Sequence, residues 1–114
     1  MHELGIVFHI MDTLEAVAKE NELSEIHSVT IEVGEVSTVV PDYLTDCWHW
    51  AVQKKELLSQ CAMKVEVLPA VTLCEGCGKE YPTVAYGRIC PNCGSEKTYL
   101  LRGNELNIKE IEAI

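Results

Sequence analysis

The sequence predicts an α+β fold, with two helices packed on a small mixed three-stranded sheet that is interrupted by an inserted four-cysteine module. Three observations carry this prediction. Two stretches repeat apolar residues at three- and four-residue steps, the period of a helix with one buried face. Three others alternate apolar with polar residues, the period of a strand. Before the last of these strands come Cys74-Glu-Gly-Cys77 and Cys90-Pro-Asn-Cys93, two cysteine pairs separated by twelve residues.

In chain order, Leu4, Val7, Met11, Leu14 and Ala18, with Ile10 and Val17 beside them, mark a helix from Leu4 to Glu22. Glu3 complements the positive end of its dipole, and Asn21-Glu22 supplies a stop. Val29, Ile31 and Val33 alternate with Thr30 and Glu32, which predicts a strand over Ser28 to Val33 with one buried face, ended by Gly34. His27 then falls in the preceding loop. Pro41-Asp42 opens a second helix, with Leu44, Cys47, Trp48, Ala51 and Leu58 as its buried stripe. A second strand spans Ala62 to Leu68, where Met63, Val65 and Val67 oppose Lys64 and Glu66.

The pattern changes at Pro69-Ala70, and the arm between the cysteine pairs is expected to form a short hairpin. The chain leaves the module through Tyr99-Leu100-Leu101 and turns at Arg102-Gly103-Asn104. In the closing strand Leu106 and Ile108 share a face while Ile111 is out of phase, so a bulge or the end of pairing is expected near Lys109-Glu110. These boundaries divide the chain into one domain of residues 1–69 and 100–114 and a second of residues 70–99.

Each Cys-x-x-Cys turn can aim two sulfurs at one point, and Gly78 and Gly94 follow the second cysteine of each pair, where a tight knuckle needs φ > 0. Four soft sulfurs in a tetrahedral cage suit zinc, and a closed set leaves no position for a substrate, so Cys74, Cys77, Cys90 and Cys93 read as a structural Zn(II) site. Two disulfides, a redox Cys-x-x-Cys and a rubredoxin-like iron site are the alternatives. Cys47 and Cys61 have no such neighbours and read as small hydrophobes.

Eighteen acidic against nine basic residues give a net charge of −9, which repels phosphate backbones and argues against nucleic acid as a partner. Lys79, Arg88, Lys97 and Arg102 are too few to make a basic face. With no long apolar run, no membrane segment is expected, and thiols kept for metal point to a cytoplasmic protein.

At a free amino terminus, Met1-His2-Glu3 is a compact chelate. The terminal amine, the His2 backbone nitrogen and the His2 Nδ1 close adjoining rings on one ion, and the Glu3 amide completes a square plane suited to Ni(II) or Cu(II). Amide nitrogens bind only when deprotonated, and a helix start favours that negative charge. His9, seven residues on, is roughly 10 Å away by helix rise and too far to share the ion. No pair of carboxylates is spaced for acid–base chemistry, so the chain does not read as an enzyme.

The opening Met1-His2-Glu3-Leu4, the turn Gly34-Glu35-Val36-Ser37 leading to Pro41-Asp42, the paired cysteines with Cys90-Pro-Asn-Cys-Gly-Ser95, and the closing Gly103-Asn-Glu-Leu-Asn-Ile-Lys-Glu-Ile-Glu112 resemble the HypA/HybF family over essentially the whole chain. The resemblance implies a nickel metallochaperone for [NiFe] hydrogenase maturation, with a hinge between a nickel-binding domain and a zinc ribbon. It maps transported Ni(II) onto Met1, His2 and Glu3 and structural Zn(II) onto the four paired cysteines. The implied partners are a HypB-type nickel GTPase and the hydrogenase large subunit, and a homodimer is left open. The arm between the cysteine pairs contains no histidine, so an accessory nickel ligand from the ribbon is not expected.

Overall fold

The structure, a computed structural model, describes residues 3–114. Its elements run α1 (Glu3–Glu20), β1 (Ile26–Gly34), α2 (Pro41–Ala51), β2 (Ala62–Leu68), β3 (Val71–Cys74), β4 (Glu80–Pro82), α3 (Thr83–Tyr86), β5 (Thr98–Arg102) and β6 (Leu106–Ala113). They form two three-stranded sheets, ordered β2-β1-β6 and β4-β3-β5, in the α+β class that the periodicities predict. The chain divides into two compact units, the first of Met1–Glu32, Thr38–Glu66 and Asn107–Ile114, the second of Val33–Ser37 and Val67–Leu106.

In the first unit α1 buries Ile6, Val7, Ile10, Met11, Leu14 and Ala18 along one stripe, and it packs against α2, whose Leu44 and Trp48 are fully buried. Trp48 is satisfied as well as packed, because its Nε1–H donates to the Cys61 carbonyl at 2.9 Å. A buried indole left without an acceptor would carry a desolvation penalty, so this bond fixes the rotamer that fills the core. The neighbouring Trp50 is 63% exposed. Positions two apart on a helix point different ways, so one indole fills the core and the other does not.

Element ends differ from the sequence expectations for local reasons. α1 stops at Glu20, where Glu22 adopts φ 53° and the Leu23 N–H donates to the Ala18 carbonyl at 2.9 Å, a reversal that satisfies helix-end carbonyls. β1 begins at Ile26, so His27 lies on a strand and not in a loop. Ser28 and Thr30 are buried on it along with Val29 and Ile31, and ion pairs between the strands on either side, Lys109 Nζ to Glu66 at 2.9 Å and Lys64 Nζ to Glu112 at 3.6 Å, span it. α2 ends at Ala51 and tightens into a 3-10 turn over Val52–Lys54. Leu58 is fully buried from the turns beyond, and so is not part of the helical stripe. β6 continues through Ala113, so pairing does not end at Lys109-Glu110.

The second unit is pinned where three backbone passages meet. The Gly34 N–H donates to the Glu105 carbonyl at 2.8 Å, the Val36 N–H to the Gly103 carbonyl at 2.9 Å, and the Glu35 N–H to the Leu68 carbonyl at 2.8 Å. The Glu35 carboxylate in turn accepts from the Ala70 N–H at 2.9 Å. A Cβ on Gly34 would run into the Gly103 carbonyl, and Gly103 itself sits at φ +115° against Ala70, so neither position has room for a side chain. The arm between the cysteine pairs is not a hairpin of its own. Its first part, β4, pairs antiparallel with β3, and its second is the single turn α3.

Trp48→Ala is expected to lower stability by about 3–5 kcal/mol, whereas Trp50→Ala should stay within about 0.5 kcal/mol of the parent. Urea denaturation followed by far-ultraviolet circular dichroism checks the contrast; equal effects would contradict the burial assigned to the two indoles.

Candidate metal centre

Two matching knuckles build the centre. β3 delivers Cys74, whose N–H donates to the Lys79 carbonyl at 3.0 Å while its own carbonyl accepts from the Gly78 N–H at 2.8 Å. The second knuckle repeats the pattern: the Cys90 N–H donates to the Ser95 carbonyl at 3.1 Å and the Gly94 N–H to the Cys90 carbonyl at 2.9 Å. Gly78 and Gly94 take φ 75° and 72°, the left-handed turn expected after each pair. The Glu75 N–H donates to the Lys97 carbonyl at 2.9 Å, tying the first knuckle to the segment that follows the second.

The four sulfurs converge within 4.8 Å of one another. The nearest approaches cross between knuckles, Cys74 Sγ to Cys93 Sγ at 3.5 Å and Cys77 Sγ to Cys90 Sγ at 3.6 Å. A tetrahedral zinc site with bonds of about 2.3 Å has sulfur–sulfur edges of about 3.8 Å, so the cage has the size and donor set for that ion. All six cysteines are free thiols, with no disulfide among them.

The cage also concentrates charge. Cys77 is drawn down to about 6 from 9.0, first by the Lys79 backbone and then by the Asn92 side chain, both hydrogen-bonding its sulfur. The Ser95 backbone acts on Cys93 in the same direction, but the crowding sulfurs of Cys74, Cys77 and Cys90, with some loss of solvation, push it up to about 12. One anion is thus favoured at the expense of another, and a divalent cation removes the conflict. Asn92 and the Lys79 amide were not picked out from the sequence, although Asn92 lies within the Cys90–Cys93 turn. Burial pushes the Cys61 thiol up to about 11, consistent with an inert packing role, and Cys47 is half-buried outside the cluster.

This set is the one group of three or more His, Cys, Asp or Glu side chains that converges among the described residues. Glu3 opens α1 and is half-buried. Met1 and His2, named with it as nickel ligands, lie outside the described residues. His9, His27 and His49 are exposed, and none belongs to a converging group of metal-ligating side chains among the described residues. The second unit's buried cluster consists of Cys74, Tyr81 and Cys90 with Cys77 against it, so its core and its metal ligands are largely the same residues. Tyr81 closes that core by donating its hydroxyl to the Gly87 carbonyl at 2.9 Å and meeting Tyr86 edge-on at 6.0 Å.

Residues 1–113 match the family profile described as hydrogenase/urease nickel incorporation, metallochaperone, hypA. The chain is 34% identical over 112 residues to the hydrogenase maturation factor HypA of Geobacter metallireducens, covering 98% of each chain. It is 28% identical to the hydrogenase maturation factor HybF of Klebsiella pneumoniae over the same share of both. In fold it is similar to the solution structure of the nickel metallochaperone HypA from Helicobacter pylori, with a TM-score of 0.75, 20% identity, and coverage of 100% of this chain and 98% of that one.

Two outcomes are expected on removing metal. Chelation should melt the β3–β5 sheet while the Trp48 core of the first unit persists, read by amide hydrogen exchange; uniform loss or uniform retention of protection would contradict it. The Asn92 side chain helps hold the Cys77 thiol down, so in Asn92→Ala the pH at which half the metal is released should rise, read with a chromogenic chelator across a pH series. Because protons compete for the sulfurs, metal retention should fall as pH falls.

Proposed function

Because the chain belongs to the HypA family of hydrogenase/urease nickel-incorporation metallochaperones, we propose that it carries Ni(II) bound through Met1, His2 and Glu3 and delivers it to the [NiFe] hydrogenase large subunit together with a HypB-type GTPase. The family is one of maturation factors and not of enzymes, and the chain's role is that of a carrier. The observation that carries this reading is the family match over residues 1–113, which takes in both ends of the chain and the four cysteines.

The proposed nickel ligands precede or open α1, which begins at Glu3. The first N–H groups of a helix have no intrahelical acceptor, and the dipole there favours negative charge. Both effects lower the cost of an ionised amide donor. The His2 imidazole is the side-chain ligand, with the Met1 amine, the His2 amide and the Glu3 amide completing a plane suited to Ni(II). A chelate built on one end of a chain is dismantled by lifting that end, which serves a carrier that must release its cargo.

Cys74, Cys77, Cys90 and Cys93 hold Zn(II), which supplies a closed tetrahedral staple. The cage diameter and the all-sulfur donor set support zinc over a harder ion. The proposed division is a nickel-binding domain of residues 1–69 and 100–114 and a ribbon of residues 70–99, working in the cytoplasm. Among the described residues no helix is long and apolar enough to cross a membrane.

Titrating Ni(II) into zinc-loaded, untagged protein should produce the visible d–d band of square-planar nickel. His2→Ala and a one-residue extension ahead of Met1 should each abolish the band while leaving zinc content unchanged. A band that survives both changes would remove nickel from Met1, His2 and Glu3.

A further inference from the structure

The opening of α1 is weakly held by its own sequence. Ile6 and Val7 are the first of its side chains to enter the core, and both are fully buried. Ahead of them Leu4 stays 38% exposed, and Gly5 is a poor helix former that brings no side chain to the packing. A Cβ at Gly5 would meet nothing within 4 Å, so close packing does not call for glycine there. Leu4 is therefore the apolar side chain left to tie the first turn to its surroundings.

Those surroundings are the outer side of α2. Leu4 lines one hollow of about 350 Å³ with Asp46, Cys47 and Trp50, and Trp50 also walls a second, of about 320 Å³, with Phe8 and Met11. Leu4 and Phe8 lie four residues apart and so share a face of α1. The Trp50 indole thus stands along the first two turns of the helix. At 63% exposure it contributes little to the core, and its place beside α1 gives it a different use.

Glu3 opens α1 and, on the function proposed above, lends its amide nitrogen to nickel. Peptide units are planar and a helical residue has fixed φ and ψ, so the seat of Leu4 determines where the Glu3 N–H points. We propose that Trp50 is a positioning residue for the nickel chelate, seating Leu4 so that the first turn of α1 stays helical and holds the Glu3 amide in the ligand plane. This role rests on the nickel reading and adds a residue to it. Nickel binds the molecules whose first turn is seated, and its apparent affinity scales with their fraction. Gly5 keeps that fraction below one. Cargo can then leave as the turn unseats, with Ile6, Val7 and the core behind them undisturbed.

Nickel affinity of the zinc-loaded, untagged full chain, measured by competition with a chelator, should fall roughly fivefold in Trp50→Ala, as when the seated fraction drops from about a half to about a tenth. Trp50→Phe should retain the parent affinity, and the d–d band should keep its position in both variants. In the nickel-free protein the Val7 N–H, whose α-helical acceptor is the Glu3 carbonyl, should exchange faster in Trp50→Ala. Gly5→Ala strengthens the turn independently of the indole, so in the Trp50→Ala background it should restore both the affinity and the Val7 protection. An affinity unchanged in Trp50→Ala, or lowered there and not recovered with Gly5→Ala, would overturn the proposal. Loss or displacement of the band in Cys47→Ser would also overturn it, by placing the neighbouring thiolate among the ligands. A band that survives His2→Ala would remove nickel from the terminus and overturn both readings; a band lost in His2→Ala, with unchanged affinity in Trp50→Ala, would overturn the positioning role alone.

Discussion

Four sulfurs within 4.8 Å of one another are an unstable crowd unless a cation sits among them, and the second unit depends on that constraint. Its buried cluster is Cys74, Tyr81 and Cys90 with Cys77, so among the described residues the metal ligands themselves make up most of its core. The opposed tendencies of Cys77 and Cys93 express the same constraint, since stabilising one thiolate raises the cost of the next. The knuckle glycines, the paired amide-to-carbonyl closures and the β3–β5 ladder follow from bringing the two cysteine turns face to face.

The first unit works on the opposite principle. Its stability rests on apolar burial along α1, α2 and β1, reinforced by one hydrogen bond from Trp48. Nothing in that core demands a metal, which leaves the opening of α1 available for reversible coordination. A carrier gains from this separation, because its fold does not change with every gain and loss of cargo. On the proposed reading the resident metal staples one unit, and the transported metal sits at the margin of the other.

Much of this was legible in the sequence. The 3.6-residue stripe of α1, the alternation in β1 and β2, and the cysteine spacing all report side-chain direction directly, and those elements and the sulfur cage appear where expected. Other features could not be read from pattern. Ser28 and Thr30 are polar, and their burial on β1, spanned by ion pairs between its neighbours β2 and β6, is a tertiary effect. α3 is one turn long, shorter than any period can show, and Leu58 is carried into the core by turns and not by a helix. The role of Gly103 depends on Gly34 and Ala70, distant in sequence, so their mutual approach leaves no local signature.

The threading of the chain also bears on the order of its assembly. β6 lies beside β1 in the first sheet, yet the entire cysteine-bearing segment is synthesised between them. On a ribosome that sheet stays incomplete until the ribbon has emerged. Once the four thiolates have captured an ion, the intervening loop is shorter and stiffer, and closing it costs less chain entropy. An ion in the sulfur cage and the docking of the last strand thus favour each other, although they belong to different sheets.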